Sequence, residues 1–325
     1  MGDKLKFGSC LPPFTSCADR YLLSGYGGGA KTVIGMIELA GTVEDLKGIE
    51  LVGTWHVNDD NLQEVKKALE RVGLEVCMMV PDMWASQKFG SGGFTSREEK
   101  IRRAAVEEVK KTMDWAKELG CDKIDLWFGQ DGYDYPFQGN FDQAWQQLIE
   151  LTRECADYNP DIKICIEYKI KEPRTHIYVN TIGKTLLLIN EIDRENVGVL
   201  IDTGHALAAG ENVAESIALA GDKLFYMHFN DNYRAWDDDM MVGSVHIIET
   251  LEMLYWLKKI GYNGWYTLDI FPYREDGVKA VKESISWIKG LMNLLEKIGE
   301  EKIEKVIRKG DAIEASKMLR EAFCQ

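Results

Sequence analysis

The sequence predicts a single (β/α)8 TIM barrel with a C-terminal helical extension. Short apolar segments alternate with longer amphipathic ones, as in a parallel sheet with crossover helices. Eight such short segments occur, and four successive ones end in Glu, Asp or His. At 325 residues the chain has a length that barrels of this class fill as one domain.

In order, the predicted strands lie near Lys6–Cys10, Ile49–Trp55, Leu74–Val80, Lys123–Phe128, Lys163–Glu167, Val197–Asp202, Leu224–Phe229 and Gly264–Asp269. Between them Arg97–Leu119, Phe141–Tyr158 and Thr181–Ile192 carry the three-and-four apolar spacing of a core-facing helix. Gly120 and Gly261 stand where helices should stop before the next strand. With no internal repeat or low-complexity linker, residues 1–290 read as the barrel and 291–325 as a charged helical arm. That arm is either solvated or packed on a neighbouring subunit.

Composition narrows the function. A formal net charge of −14 without any basic stripe argues against nucleic acid. Seven dispersed cysteines without CxxC spacing read as reduced thiols rather than a disulfide frame or zinc site. No apolar leader or membrane-length run is present, so a soluble cytoplasmic protein without membrane partners is expected. No GxGxxG follows the first strand, and no Gly-rich anion cradle precedes a helix at the seventh or eighth, so nicotinamide chemistry and phosphorylated substrates find no support.

The strand ends carry the chemistry. The fifth gives Glu167-Tyr-Lys169, the sixth Asp202-Thr-Gly-His205, the seventh His228-Phe-Asn230 and the eighth Asp269. In a barrel such residues converge on one face. One acid there could simply cap a helix. Four successive strands ending this way would crowd unpaired carboxylates together and call for a cation. Oxygen ligands with one or two imidazoles suit Mg²⁺ or Mn²⁺, with Co²⁺ also fitting. Asp237 and Asp239, alternating in a loop after the seventh strand, point the same way and could share an ion, so that Asp202 and His205 make a second, adjacent position. His56 ends the second strand, with Asp59 three residues on as a candidate orienting carboxylate for an acid–base imidazole. His176 and His246 lack such partners and read as surface or packing residues. Trp55, Trp84, Trp127 and Trp236, at or near strand ends, are core caps or the walls of a dry, sugar-sized pocket.

These residues resemble the xylose isomerases from about Trp55 to Lys289. Phe89-Gly-Ser-Gly-Gly-Phe-Thr-Ser96 with Ile101-Arg-Arg103 is similar to that family's FxxGGFTS and VRR segment. Glu167-Tyr-Lys169 with Glu172-Pro-Arg174 resembles its E-P-K-P-N-E-P-R, Lys223-Leu-Phe225 leads into the seventh strand as it does there, and Asp237-Asp-Asp239 resembles its D-x-D. The resemblance implies a first, structural metal on Glu167, Asp202, His228 and Asp269, and a second, catalytic one on Asp202, His205, Asp237 and Asp239. It further implies Lys169 on the sugar oxygen that is polarised, His56 with Asp59 opening the sugar ring, and Trp127 in the pocket. The reaction implied is a metal-assisted 1,2-hydride shift between an aldose and a ketose. By the same resemblance the arm suggests a homodimer or homotetramer.

The departures are specific. Asp202 stands where the family has a bridging Glu, and His228 where it has Asp, a set more similar to the related rhamnose isomerases. Phe271 and Trp84 replace a lysine and a phenylalanine of the pocket wall, which bears on the identity of the sugar. The segment around Leu11–Gly29 does not match. The alternative is a ketose 3-epimerase, with one metal and two glutamates shuttling a proton; it leaves Lys169 and the Asp237/Asp239 pair unexplained. Lyases acting on glycosides, DNA-repair endonucleases and a non-catalytic binding barrel fit less well.

Overall fold

The computed structural model describes residues 5–19 and 21–324. Eight parallel strands close into a barrel in sequence order: Lys6–Ser9, Leu46–Val52, Glu75–Val80, Lys123–Trp127, Lys163–Glu167, Val197–Asp202, Leu224–Phe229 and Trp265–Leu268. They are called strands one to eight below. The predicted (β/α)8 fold is therefore present, with strand two beginning three residues earlier than expected, at Leu46.

Side-chain alternation divides each strand between two environments. Ile49, Leu51, Ile124, Leu126, Ile164, Ile166, Val199 and Ile201 are fully buried in the apolar layer shared with the helices. The alternate residues face the barrel axis. At mid-barrel these include Cys77, Cys165, Leu200, Tyr226 and Trp265. Nearer the C-terminal ends the same inward rows become polar, with Glu50, Asp125, Glu167, Asp202 and His228 all buried.

Helices Glu99–Glu118, Phe141–Tyr158 and Ile182–Ile192 lie within two residues of their expected positions. The helix after strand eight runs unbroken from Gly277 across residue 290 to Ile298, so the extension proper is the pair Glu300–Lys309 and Ala312–Phe323. Both helices fold back along Gly277–Ile298 of the same chain, where Ile303 is buried and Met318 and Leu319 pack on the core. A small antiparallel sheet of Gly132–Tyr133, Lys171–Glu172 and Thr175–Ile177 is built from the loops after strands four and five. All seven cysteines are free. Among the described residues no helix is long and apolar enough to cross a membrane.

Candidate metal centre

Asp202 is both a helix cap and the hub of the site. It ends strand six and N-caps the short helix Thr203–Ala208, its Oδ1 accepting the His205 backbone N–H at 2.8 Å. Its Oδ2 accepts from Asn230 Nδ2 at 2.9 Å. Thr203 holds Asn230 in place, its hydroxyl accepting from the Asn230 backbone N–H at 2.9 Å. Glycine at 204 leaves room for the site's side chains: a Cβ there would lie 2.5 Å from Asn230 Oδ1 and 2.8 Å from Asp237 Oδ1.

Two ligand clusters share Asp202. Donor atoms of Asp202, His228 and Asp269 lie within 4.8 Å of one another, as do those of Glu167, Asp202 and His205. In the first, His228 Nδ1 is 3.9 Å from both Asp202 Oδ2 and Asp269 Oδ2, and it reaches Glu167 Oε1 of the second at 3.1 Å. In the second, His205 Nδ1 is fixed 3.0 Å from the Tyr168 carbonyl oxygen, leaving Nε2 3.1 Å from Asp237 Oδ2 and 4.0 Å from Asp202 Oδ1. Asp237 joins this cluster through His205. Asp239 is one step further out, 3.4 Å from Asn230 Nδ2. Its loop is pinned at both ends by paired hydrogen bonds between Asp231 and Met240, and Asp239 itself has a left-handed φ of 45°. Phe271 joins this loop to the eighth-strand end, its N–H donating to the Asp239 carbonyl oxygen at 2.9 Å.

The acids of the two clusters act on one another's ionisation. Burial, followed by Asp237 and Glu167, lifts Asp202 to about 7 against the pull of His205. Burial with Glu50 and Glu167 lifts Asp269 to about 6, and burial with Asp237 and Asp269 lifts Asp239 well above the carboxylate range. For His205, burial would depress basicity, but Asp202 and Asp237 raise it to about 9. Asp237 Oδ1 is buried with no hydrogen-bond partner. Buried carboxylates that repel one another, with an orphaned oxygen among them, fit a divalent ion bound through oxygen and imidazole.

Lys169 borders the second cluster. Its ammonium is buried between Glu172 Oε2 at 2.6 Å and Asp237 Oδ2 at 2.7 Å, and lies over the Trp127 ring at 5.4 Å. Desolvation opposes this charge, but Asp237 and Glu172 outweigh it and keep the amine protonated. Trp127 packs edge-on against Trp84 with centroids 4.9 Å apart, and Trp84 meets Trp55 at 6.1 Å. The three indoles form one wall, stiffened by Asp82, which accepts from Trp55 Nε1 at 2.8 Å and from the Trp84 backbone N–H at 3.2 Å.

His56 is buried beside this wall, but Asp59 does not orient it. Asp59 faces outward and binds Lys111 Nζ at 2.7 Å and Trp115 Nε1 at 2.9 Å, because the two residues lie in the turn that precedes the helix Leu62–Val72. The Val52 backbone N–H donates to His56 Nδ1 at 2.9 Å instead, which fixes Nε2 as the protonated nitrogen. Burial lowers the ring's pKa from 6.5 to about 4, the reverse of the raised basicity expected from an adjacent acid. Between those values the unfolded chain binds a proton that the folded chain excludes, so this group's contribution to stability falls as pH drops from 6.5 towards 4. His56→Gln should flatten that pH dependence by roughly 3 kcal/mol, set by the size of the shift. Urea midpoints at pH 7 and pH 4.5 for both proteins check it; parallel declines would refute the assignment.

The other histidines are accounted for. His176 stacks on Tyr133 with centroids 5.4 Å apart. His246, expected to lack an acidic partner, has one: its Nδ1 is 2.8 Å from Asp231 Oδ1, anchoring the start of helix Ile247–Lys259.

A family model described as a xylose isomerase-like TIM barrel matches residues 40–291. The chain belongs to this family. Xylose isomerases of Thermus thermophilus and Thermus caldophilus are 31% and 30% identical to it over 233 residues, 68% of this chain and 60% of theirs. The chain thus spans about 60% of the length of these curated relatives. Solved structures with the same fold include a 3-keto-D-glucoside 4-epimerase from E. coli, with a TM-score of 0.69 at 18% identity over 88% of this chain and all of that one. A D-allulose 3-epimerase from Methylomonas sp. gives 0.69 at 18% identity over 88% and 97% of the two chains.

Within this xylose isomerase-like barrel, the FGSGGFTS segment has a structural explanation. The buried Asp131 accepts from the Thr95 backbone N–H at 2.5 Å and from its hydroxyl at 2.7 Å, clamping the segment against the loop after strand four. The Tyr178 N–H donates to the Asp131 carbonyl oxygen, adding the fifth-strand loop to the same node. Sequence reasoning did not single out Asp131, Asp82, Glu50 or Asp125. The last two lie on inward rows but two residues short of a strand end, one layer below the residues that were sought. A period-two count reaches both only from the observed ends Val52 and Trp127; from the expected ends Trp55 and Phe128 it runs along the opposite row.

Proposed function

We propose that this chain is a divalent-metal-dependent aldose–ketose isomerase acting on an unphosphorylated sugar by a 1,2-hydride shift. The observation that carries the reading is the pair of ligand clusters sharing Asp202, with a protonated Lys169 at the edge of the second. The xylose isomerase names of the two relatives support the same reaction class.

Glu167, Asp202, His228 and Asp269 would hold one ion, and Asp202, His205, Asp237 and Asp239 another. Bound there, Mn²⁺ or Mg²⁺, with Co²⁺ also fitting, would neutralise the buried carboxylates and polarise the sugar oxygens as Lewis acids. The chain's own groups do the rest. Lys169 donates to the carbonyl oxygen of the open sugar and steadies the charge it gains as hydrogen moves with its electron pair between C1 and C2. Trp84 and Trp127 cover the apolar face of the sugar and keep water from the migrating hydrogen. His56, neutral near pH 7, offers its Nε2–H to the ring oxygen during opening. Phe271, in the loop after strand eight, adds bulk near Asp239.

The test is turnover of free aldoses and ketoses in D₂O with added Mn²⁺, followed by NMR. An aldose–ketose product without solvent deuterium at the migrating carbon is expected. Deuterium at C3 of a ketose with inverted configuration would replace this reading with a 3-epimerase, which needs a single metal and would leave Asp237 and Asp239 without a metal role.

A further inference from the structure

Glu50 is a buried acid that belongs to neither ligand cluster, yet it touches a proposed ligand directly. Its Oε2 lies 2.8 Å from His228 Nε2, while the other ring nitrogen, Nδ1, faces Glu167, Asp202 and Asp269. The imidazole is thus suspended between one acid below and three at the site.

The backbone around Glu50 is arranged for this contact. Pairing between strands two and three shifts register between Ile49 and Glu50, the kind of irregularity that re-aims a side chain. Two residues earlier Gly48 lies against Trp265: a Cβ there would come within 2.7 Å of the indole and 3.0 Å of Cys77 Cβ, so the bare backbone makes room for both. The ring is also held from the side. Tyr226 packs edge-on to it at 5.7 Å, with its own hydroxyl 2.6 Å from Thr267 Oγ1.

We propose that Glu50 is the positioning residue that commits the Nε2–H of His228 to the barrel interior and so dedicates Nδ1 to the divalent ion. This inference rests on the metal-binding reading above. An imidazole can ligate through either nitrogen, and the partner of the second nitrogen decides which. Without Glu50, the ring keeps three carboxylates facing Nδ1 and loses the one acceptor that hydrogen-bonds Nε2. Either tautomer is then open to it, and each ion must select the correct one.

The full-length chain, stripped with chelator, is titrated with Mn²⁺ while free ion is read by electron paramagnetic resonance. Apo folding is monitored in parallel by circular dichroism. Glu50→Leu should weaken one of the two sites, the one that holds His228, by about 10- to 100-fold, the usual cost of losing an outer-shell partner of a ligand. Glu50→Gln, which keeps an acceptor, should retain most of that affinity. A Leu variant that folds and binds within twofold of the parent overturns the proposal while leaving the metal reading intact. A parent that takes up no Mn²⁺ overturns the metal reading, and this inference with it. Should the Leu variant not fold, the histidine ¹⁵N spectrum of the Mg²⁺-loaded parent decides: protonated Nε2 is expected for His228, and protonated Nδ1 overturns the assignment.

Discussion

Asp202→Asn is expected to abolish turnover and to weaken both metal positions at once, by at least about a hundredfold, more than loss of an outer-shell partner costs. The substitution is chosen because Asn is as good an N-cap as Asp. The bond from the His205 N–H therefore survives, and helix Thr203–Ala208 keeps its start. What is removed is the charge shared by the two clusters. The same change should stabilise the metal-free protein. Burial and neighbouring acids raise the Asp202 carboxyl to about 7, so its ionisation opposes folding increasingly as pH rises from 3.8 towards that value. An amide escapes this cost, and a flip of the Asn230 side-chain amide gives the new NH₂ an acceptor in place of the bond that Asp202 Oδ2 accepted. The apo variant should accordingly melt above the apo parent at pH 8, while added Mn²⁺ raises the melting temperature of the parent alone. A variant that is fully active, or that is still stabilised by Mn²⁺ as the parent is, would end the shared-ligand description.

Lys169→Met is the second large effect. It should reduce kcat by about 10²- to 10³-fold, the range for removing one preorganised donor at a developing oxyanion, with Mn²⁺ still taken up. Methionine retains the length of the stem over Trp127 but lacks the ammonium that sits 2.7 Å from Asp237 and 2.6 Å from Glu172. With His205, that ammonium holds Asp237 well below the ordinary carboxylate range despite its burial. Its loss leaves Asp237 dependent on His205 and the ion, so the second site should become no weaker. Single-turnover rates together with Mn²⁺ titration separate the two effects. Equal losses of rate and metal affinity would mean that Lys169 acts through the metal site and not on the sugar.

Much of this molecule was legible in the chain. Short apolar runs, set between segments with three-and-four spacing, located all eight barrel strands, because a parallel strand covered by helices is buried on both faces and reads as a near-continuous apolar run. The strand-end residues Glu167, Asp202, His228 and Asp269 could be expected together for the same reason, since closing the barrel brings its C-terminal ends onto one rim. His205 followed from Asp202 by lying in the next helical turn. The roles of Asp59 and His246 did not follow. Three residues after His56 the chain has already turned outward, so sequence proximity put Asp59 on Lys111 and Trp115 and left a backbone N–H to hold the imidazole. Asp231, fifteen residues before His246, reaches it only because the Asp231–Met240 loop folds back on itself.

The sequence by itself therefore determined the barrel, its rim of acids and imidazoles, and the aromatic residues near them. These follow from local periodicity and from a closure rule that every such barrel obeys. Only the tertiary structure decided which acid serves which imidazole. Glu50 lies 178 residues from His228, and the contact between them depends on barrel stagger, on a register shift beside Ile49 and on the missing side chain of Gly48. None of these leaves a periodic trace, because a side-chain pairing across a closed sheet is set by the relative height of two strands and not by the composition of either.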